Sequence, residues 1–260
     1  MAEKIADIKN AINACDIKHL EELLISYKDD DRSGVVKLIR AGYKKIEKYN
    51  LELQRIELMK QFEKKYSDYK FICGIDEVGR GPLAGPVMAG AVILPKDCDI
   101  LYLNDSKQLS AKKREELYSE IMEKAVSAKT AIVSPAEIDE INILQATYKA
   151  MKAAIAKLEP QPDLLLNDAV NIPKVDIKQV AIIKGDAKSI SIAAASIISK
   201  VERDALMVEY DKMYPEYDFA SNKGYGSTKH IEALKKLGPS PIHRHSFIKG
   251  ILEGTEWANQ

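Results

Sequence analysis

Cysteine is scarce: the 260-residue chain has only Cys15, Cys73 and Cys98, with no CxxC pair among them. An odd count without that spacing argues against a disulfide framework or a zinc ribbon and fits a reducing compartment. Proline is absent before Pro82, and Gly34 and Gly42 are the only glycines before Gly74. No apolar run approaches the roughly 18 residues of a membrane span. The opening Met1-Ala2-Glu3-Lys4-Ile5 lacks the apolar core of a signal peptide, so a soluble, cytoplasmic protein is expected. Neither sign of charge is in excess: Lys+Arg and Asp+Glu are both 39. A uniformly basic, histone-like nucleic-acid binder is therefore excluded, though a local basic patch is not. Hydrophobic residues at 46% and charged residues at 30% are ordinary globular values and exclude wholesale disorder.

What is present divides into two parts. Residues 1–69 carry helical spacings: Ile5, Ile8, Ile12; then Leu20, Leu23, Leu24, Tyr27; then Val35, Leu38, Ile39, Tyr43, Ile46 running towards Phe62. They predict two or three helices, the last one long, with Ser33 as an N-cap after the break at Asp29–Arg32. This extension reads either as a solvated appendage or as an arm that binds substrate or a partner. From residue 70 the character changes. Phe71–Ile75, Val87–Leu94, Lys129–Val133, Asp163–Leu166 and Val180–Ile183 read as strands. Helices are expected over Lys112–Ala125 (capped by Ser110), from Ser134 to Leu158 with a break near Ile141, over Ile190–Tyr214 and over Thr228–Leu237. Ser134-Pro135-Ala136-Glu137 has the form of a capping box. Strands followed by helices of these lengths predict an α/β domain with a mixed sheet over residues 70–260.

Acids stand at the ends of three of these strands: Asp76 and Glu77, Asp168, and Asp186. Carboxylates gathered at strand ends repel one another and resist ionisation unless a cation joins them. Mg²⁺ is hard, prefers oxygen and usually takes one or two carboxylates plus waters and substrate phosphate. Four acids on neighbouring strands suit two such ions and phosphodiester cleavage. The alternative is structural, because Asp is also a turn and cap residue. Asp76 and Glu77 would point to opposite faces of a regular strand, so sharing one site requires the strand to end or bulge there, which Gly79 permits.

Gly79-Arg80-Gly81-Pro82-Leu83-Ala84-Gly85-Pro86 follows at once. Its spacing matches neither a dinucleotide fingerprint nor a Walker loop. It reads as a tight turn or as a loop that grips a sugar–phosphate backbone, with Arg80 supplying charge. Asn104-Asp105-Ser106-Lys107 precedes a helix; Lys107 and Ser106 are candidate phosphate contacts, or parts of a capping turn. Lys184 lies two residues before Asp186. From Lys223 to Lys249 six basic residues face one acid, Glu232. Tyr225, between Gly224 and Gly226, suits stacking on a sugar or base, or a core turn. His243 and His245 read as phosphate contacts or exposed residues rather than a zinc site.

Together, Gly74–Pro86, Asn104–Lys107, Lys184–Asp186, Ala194–Ser196, Lys200–Asp204 and Lys223–Gly226 resemble ribonuclease HII over residues 71–250. The helical extension is similar to that of some bacterial members. The resemblance implies a ribonuclease H-like mixed sheet flanked by helices, with a helical C-terminal region. It implies endonucleolytic cleavage of RNA in RNA–DNA hybrids and at, or 5′ of, single ribonucleotides in duplex DNA, for ribonucleotide removal. The products would be a 3′-hydroxyl and a 5′-phosphate, the cofactor Mg²⁺ or Mn²⁺, and the chain a monomer. Asp76, Glu77, Asp168 and Asp186 match the family carboxylates, and Gly79, Arg80 and Gly81 the loop that senses the ribose 2′-OH. Tyr225 matches the tyrosine that packs on the following deoxyribose; Lys107 and Lys184 approach phosphates. Asn167 departs from the usual apolar residue before the acid, and Gln108 from a common Lys. A catalytically silent nucleic-acid binder and a nucleotide-binding regulator are the competing readings. Ile248–Gln260 shows no clear clamp-binding motif.

Overall fold

The computed structural model describes residues 3–258. The chain separates into two compact units between Leu58 and Met59. The first holds α1 (Ile5–Ala14), α2 (Leu20–Ser26) and nearly all of α3 (Ser33–Met59). Its core is Ile8, Ile12, Leu20, Leu24 and Val35, one apolar stripe from each helix. Ser33 is not the N-cap but the first helical residue. The Arg32 carbonyl already accepts from the Val35 and Val36 amides at 2.8 and 3.0 Å, so the helix begins one residue earlier than the sequence suggests.

The second unit opens with α4 (Gln61–Lys65) and continues through β1 (Ile72–Val78), β2 (Val87–Ile93), α5 (Ala111–Lys124) and β3 (Ser127–Val133). Then come α6 (Pro135–Ile141), α7 (Ile143–Ala156), β4 (Leu164–Asp168), β5 (Lys178–Ile182) and α8 (Ile190–Met213). α9 (Phe219–Asn222), α10 (Thr228–Leu237) and α11 (His245–Leu252) close the chain. Ser110, Ser134 and Ser227 cap their helices by accepting amide hydrogens, as expected of serine there. Only half of the capping box at Ser134 forms: the Glu137 side chain is drawn to Lys149 instead of back to the cap. The break near Ile141 falls at Asn142, whose φ is 67° and whose side chain caps α7.

The five strands form a mixed sheet of order β3-β2-β1-β4-β5, antiparallel from β3 to β1 and parallel from β1 to β5. α7 covers one face over Ile75, Val87, Ala89 and Leu165. α8 covers the other and approaches unusually closely. A Cβ on Gly74 would lie 2.0 Å from the Ser191 carbonyl carbon, and one on Gly90 would lie 2.4 Å from the Ala195 oxygen. The Ala193–Ser196 run of α8 is small for the same reason, and this closeness brings Ser196 over β1.

Phe71–Ile75 proves too short for the first strand. β1 does not bulge at the acids and keeps its β2 partners past them, with Asp76 opposite Gly90, Glu77 opposite Ala89 and Val78 opposite Met88, but on its β4 edge it ends before them, and both acids line one cavity. β2 keeps pairing on that side until Gly79 turns the chain with φ 88°. Pairing with β4 stops earlier, at Ile75 opposite Asn167, which leaves the other edge of β1 open beside both acids.

Candidate active site

Parallel pairing is what gathers the acids. β1, β4 and β5 run the same way, so Asp76 and Glu77, Asp168 and Asp186 all emerge at one end of the sheet. Asp168 ends β4, and its Oδ1 accepts the Gly185 amide at 2.7 Å, tying the turn that carries Asp186 to the neighbouring strand. Burial first, and then the charges of Glu77 and Asp168, hold the Asp76 carboxyl well above the usual range; its hydrogen bond to Ser196 on α8 opposes this. Burial also raises Glu77, with Asp168 adding to it and Arg80 opposing. Asp186 is pushed up to about 6 by burial, by Asp105 and by Asp168. The charge of Asp168 therefore reaches Asp76, Glu77 and Asp186 across the strand ends, and that of Asp105 reaches Asp186, while the Asp105 side chain also caps its turn, as expected, by accepting the Lys107 amide at 2.9 Å.

A cavity of about 390 Å³ opens on two of these acids, lined by Asp76, Glu77, Ser106, Lys107, Ser196 and Tyr225, with Val78 and Lys200; Asp168 and Asp186 lie outside its lining. The Ser196 and Ser106 hydroxyls meet at 3.0 Å and join α8 to the 104–107 loop. Burial works against the Lys107 ammonium, but Asp105, Asp76 and Asp186 outweigh it and raise its pKa, so it stays charged. Lys200, for which the sequence offered no role, is ion-paired with Asp204 at 2.7 Å. Lys184 is exposed, has a left-handed φ of 56° and does not line the cavity; its backbone turns the chain into Gly185 and Asp186.

Two arginines hold the glycine loop from beneath. Arg203 donates to the carbonyls of Pro86, Ala84 and Lys223. Arg244 donates to Gly79, Arg80 and Gly85, at 2.6, 2.9 and 2.9 Å. Both are fully buried. A Cβ on Gly79 would fall 2.3 Å from Arg203 Nε, so the loop lies too close to its support for any side chain there. Arg80 instead points outward and pairs with Glu77 at 3.2 Å. Gly81 faces the Tyr225 ring, which is 43% exposed. The basic stretch 223–249 is thus smaller than its sequence suggests, because Arg244 is spent on backbone carbonyls. His243 is likewise buried and bonded to His230 at 2.9 Å, not exposed or free for phosphate; His245 alone is exposed. The aromatic rings of Tyr217 and Phe219 surround the pair and exclude water from it. Asn167, at the position where an apolar residue is usual, is fully buried and donates to Gln179 at 2.8 Å.

A mixed sheet with converging acids at the open ends of its parallel strands is the arrangement of ribonuclease H-type nucleases. The fold matches ribonuclease H2 from Pyrococcus horikoshii OT3 with a TM-score of 0.60 and 29% identity, over 71% of this chain and 98% of that one. More narrowly, the family model for Ribonuclease HII matches residues 73–250, and that for the Ribonuclease HII N-terminal domain matches residues 4–67. The Ribonuclease HII of Lachnoclostridium phytofermentans is 67% identical over 225 residues, 86% of this chain and 89% of that protein. That of Clostridioides difficile is 49% identical over 252 residues, 96% and 99% of the two. The chain belongs to the Ribonuclease HII family and is an endoribonuclease of the ribonuclease H class.

The donors present suit a divalent cation. Glu77 Oε2 is buried with no hydrogen-bond partner, and Asp76 is held in a site that opposes its ionisation. Both are hard oxygen donors that a divalent ion would satisfy. Among the described residues no three His, Cys, Asp or Glu side chains already surround one point.

Proposed function

We propose that this chain cleaves the RNA strand of RNA–DNA hybrids, and at or 5′ of single ribonucleotides in duplex DNA, by two-metal-ion hydrolysis with Mg²⁺ or Mn²⁺. The products are a 3′-hydroxyl and a 5′-phosphate, and the role is ribonucleotide removal from DNA by a cytoplasmic monomer. The observation that carries this reading is the gathering of acids at one end of the sheet: buried Asp76 and half-buried Glu77 line a cavity with Lys107 and Tyr225, and the charge of Asp168 on the next strand reaches Asp76, Glu77 and Asp186.

Asp76, Glu77 and Asp168 would hold one ion and Asp186 the other. Bound there, divalent ions polarise phosphate oxygens and generate a nucleophile from water at neutral pH. The protein's own groups do the rest. Lys107, kept charged by its acidic neighbours, meets a substrate phosphate. Lys184 approaches a second phosphate from outside the cavity. The backbone of Gly79, Arg80 and Gly81, fixed by Arg244 below, presents donors to a ribose 2′-OH, the one group that separates RNA from DNA here. The exposed face of Tyr225 packs on the next deoxyribose. A substrate lacking the 2′-OH leaves the loop donors unpaired, which costs about 1–3 kcal/mol and disfavours all-DNA strands.

The test is cleavage of a DNA duplex bearing one ribonucleotide, with and without chelator. Chelator-sensitive incision leaving a 3′-hydroxyl is expected. Tight binding with no product at any divalent-ion concentration would leave a silent nucleic-acid binder instead.

A further inference from the structure

The buried histidines form a chain whose proton positions the hydrogen bonds determine. His230 Nδ1 stands 2.9 Å from the Tyr225 carbonyl oxygen. A carbonyl only accepts, so Nδ1 carries the proton and, in the neutral ring, Nε2 is bare. His230 Nε2 stands 2.9 Å from His243 Nε2, so the latter must donate. His243 Nδ1 is then bare, and it accepts the Ser240 amide at 2.9 Å. Every donor points one way, from Ser240 through both rings to the backbone of Tyr225. Burial depresses both pKa values, His243 to about 3, so both rings are neutral at physiological pH.

This chain is one side of a closed circuit. His243 bridges to Ala84 in the glycine loop, and the neighbouring Arg244 amide donates to the Leu83 carbonyl at 2.8 Å. From the loop, the Leu83 and Ala84 amides return to the Gly224 carbonyl at 2.8 and 3.3 Å. Tyr225 follows Gly224 and completes the ring at His230. The glycine loop and the Tyr225 backbone are thus tied twice, through Gly224 and through the two imidazoles. Their substrate-facing parts, Gly81 and the Tyr225 ring, end side by side: a Cβ placed on Gly81 would lie 3.9 Å from the ring.

We infer that the His230–His243 pair is a positioning device: it sets the spacing between the loop that meets the 2′-OH and the ring that meets the following deoxyribose. The pair thereby contributes to selectivity for a single ribonucleotide over a continuous RNA–DNA hybrid. This rests on the roles given above to the loop and to Tyr225. Neither histidine touches substrate.

Two isosteres at one position separate the tether from mere filling. Asn places its amide nitrogen where Nδ1 stands and can still donate to Tyr225; Gln reaches only the Nε2 position and cannot. The readout is kcat/KM on a single-ribonucleotide duplex divided by kcat/KM on a uniform hybrid, with folding checked by circular dichroism. His230→Gln should lower this ratio about 10-fold, the scale of one lost hydrogen bond, and His230→Asn should recover most of it. Equal ratios in the two folded variants, whether at or below the wild-type value, would overturn the inference. Tyr225→Ala is the control: if it leaves the ratio unchanged, the role assigned to that ring fails first. ¹⁵N NMR of the wild-type imidazoles decides the matter if either variant does not fold. Nδ1–H on His230 and Nε2–H on His243 are expected; the reverse tautomers, or doubly protonated rings at neutral pH, would break the chain.

Discussion

Arg244→Ala tests whether the glycine loop is held by its buried cation. Arg244 is fully buried and donates to three carbonyls, those of Gly79, Arg80 and Gly85. Hydrogen bonds to a charged group are worth about 1.5–3 kcal/mol each, so the gross loss is roughly 4–9 kcal/mol. Against this stands the cost of keeping a guanidinium dry beside a second one: burial, and then Arg203, push the Arg244 pKa down to about 9. Truncations that orphan buried polar partners of a charge typically cost about 3–5 kcal/mol, and the lower end applies where the lost cation was itself strained. In a unit of this size about 3 kcal/mol lowers Tm by roughly 6–12 °C. Arg244→Lys keeps the charge but replaces a planar fork by a point, so it should recover less than half of the loss. Thermal unfolding of the three proteins at pH 7.5 measures this directly, and the folded alanine variant at low temperature should cleave about 10-fold or more slowly because its 2′-OH donors are misplaced. An alanine variant melting within about 2 °C of wild type would show that the carbonyls find other donors and that the cradle is not what fixes the loop.

Two further outcomes follow from the charges. Asp76→Asn should abolish cleavage while leaving hybrid binding largely intact. In the metal-free protein it should also raise Tm, because a carboxyl whose folded pKa lies above its unfolded value loses stability as pH rises past about 4, and the neutral amide does not; a fall in metal-free Tm would contradict the burial argument. The histidine pair has the opposite sign. Its folded pKa values lie below the unfolded value of about 6.5, so its contribution is complete above that pH and is lost on acidification, at about 1.4 kcal/mol per unit for His243 until about 3. Between pH 7.5 and 5 that is about 2 kcal/mol, or roughly 4–8 °C. The raised Asp76 and Asp186 gain stability in acid and offset this loss, but they do so equally in wild type and in a histidine variant, so only the comparison of the two isolates it. The Tm drop over this range should therefore be smaller in His243→Gln by that amount, with exposed His245 and the Tyr217 hydroxyl present in both proteins; equal drops would refute it.

Much of this fold is legible along the chain, because the signals that set it are local. The caps at Ser110 and Ser134, the break near Ile141, the stop before Pro215 and the apolar stripe of α1 depend on neighbours within a few residues and are legible, whereas Ser33 offers the same signal and is the first helical residue instead. The acids were legible too, since an apolar run that ends on a carboxylate is visible without knowing its partner. Strand direction is different: it is fixed by packing between distant segments, and it is this that makes β1, β4 and β5 parallel and delivers their acids to one end. Such packing also decides what the long cations do. Arg203 and Arg244, read as surface charge or passed over, find their partners more than a hundred residues away in backbone carbonyls, which carry no sequence signature at all. The same holds for His243: burial and tautomer are properties of the packing around a ring, and no spacing of histidines along a chain can reveal them.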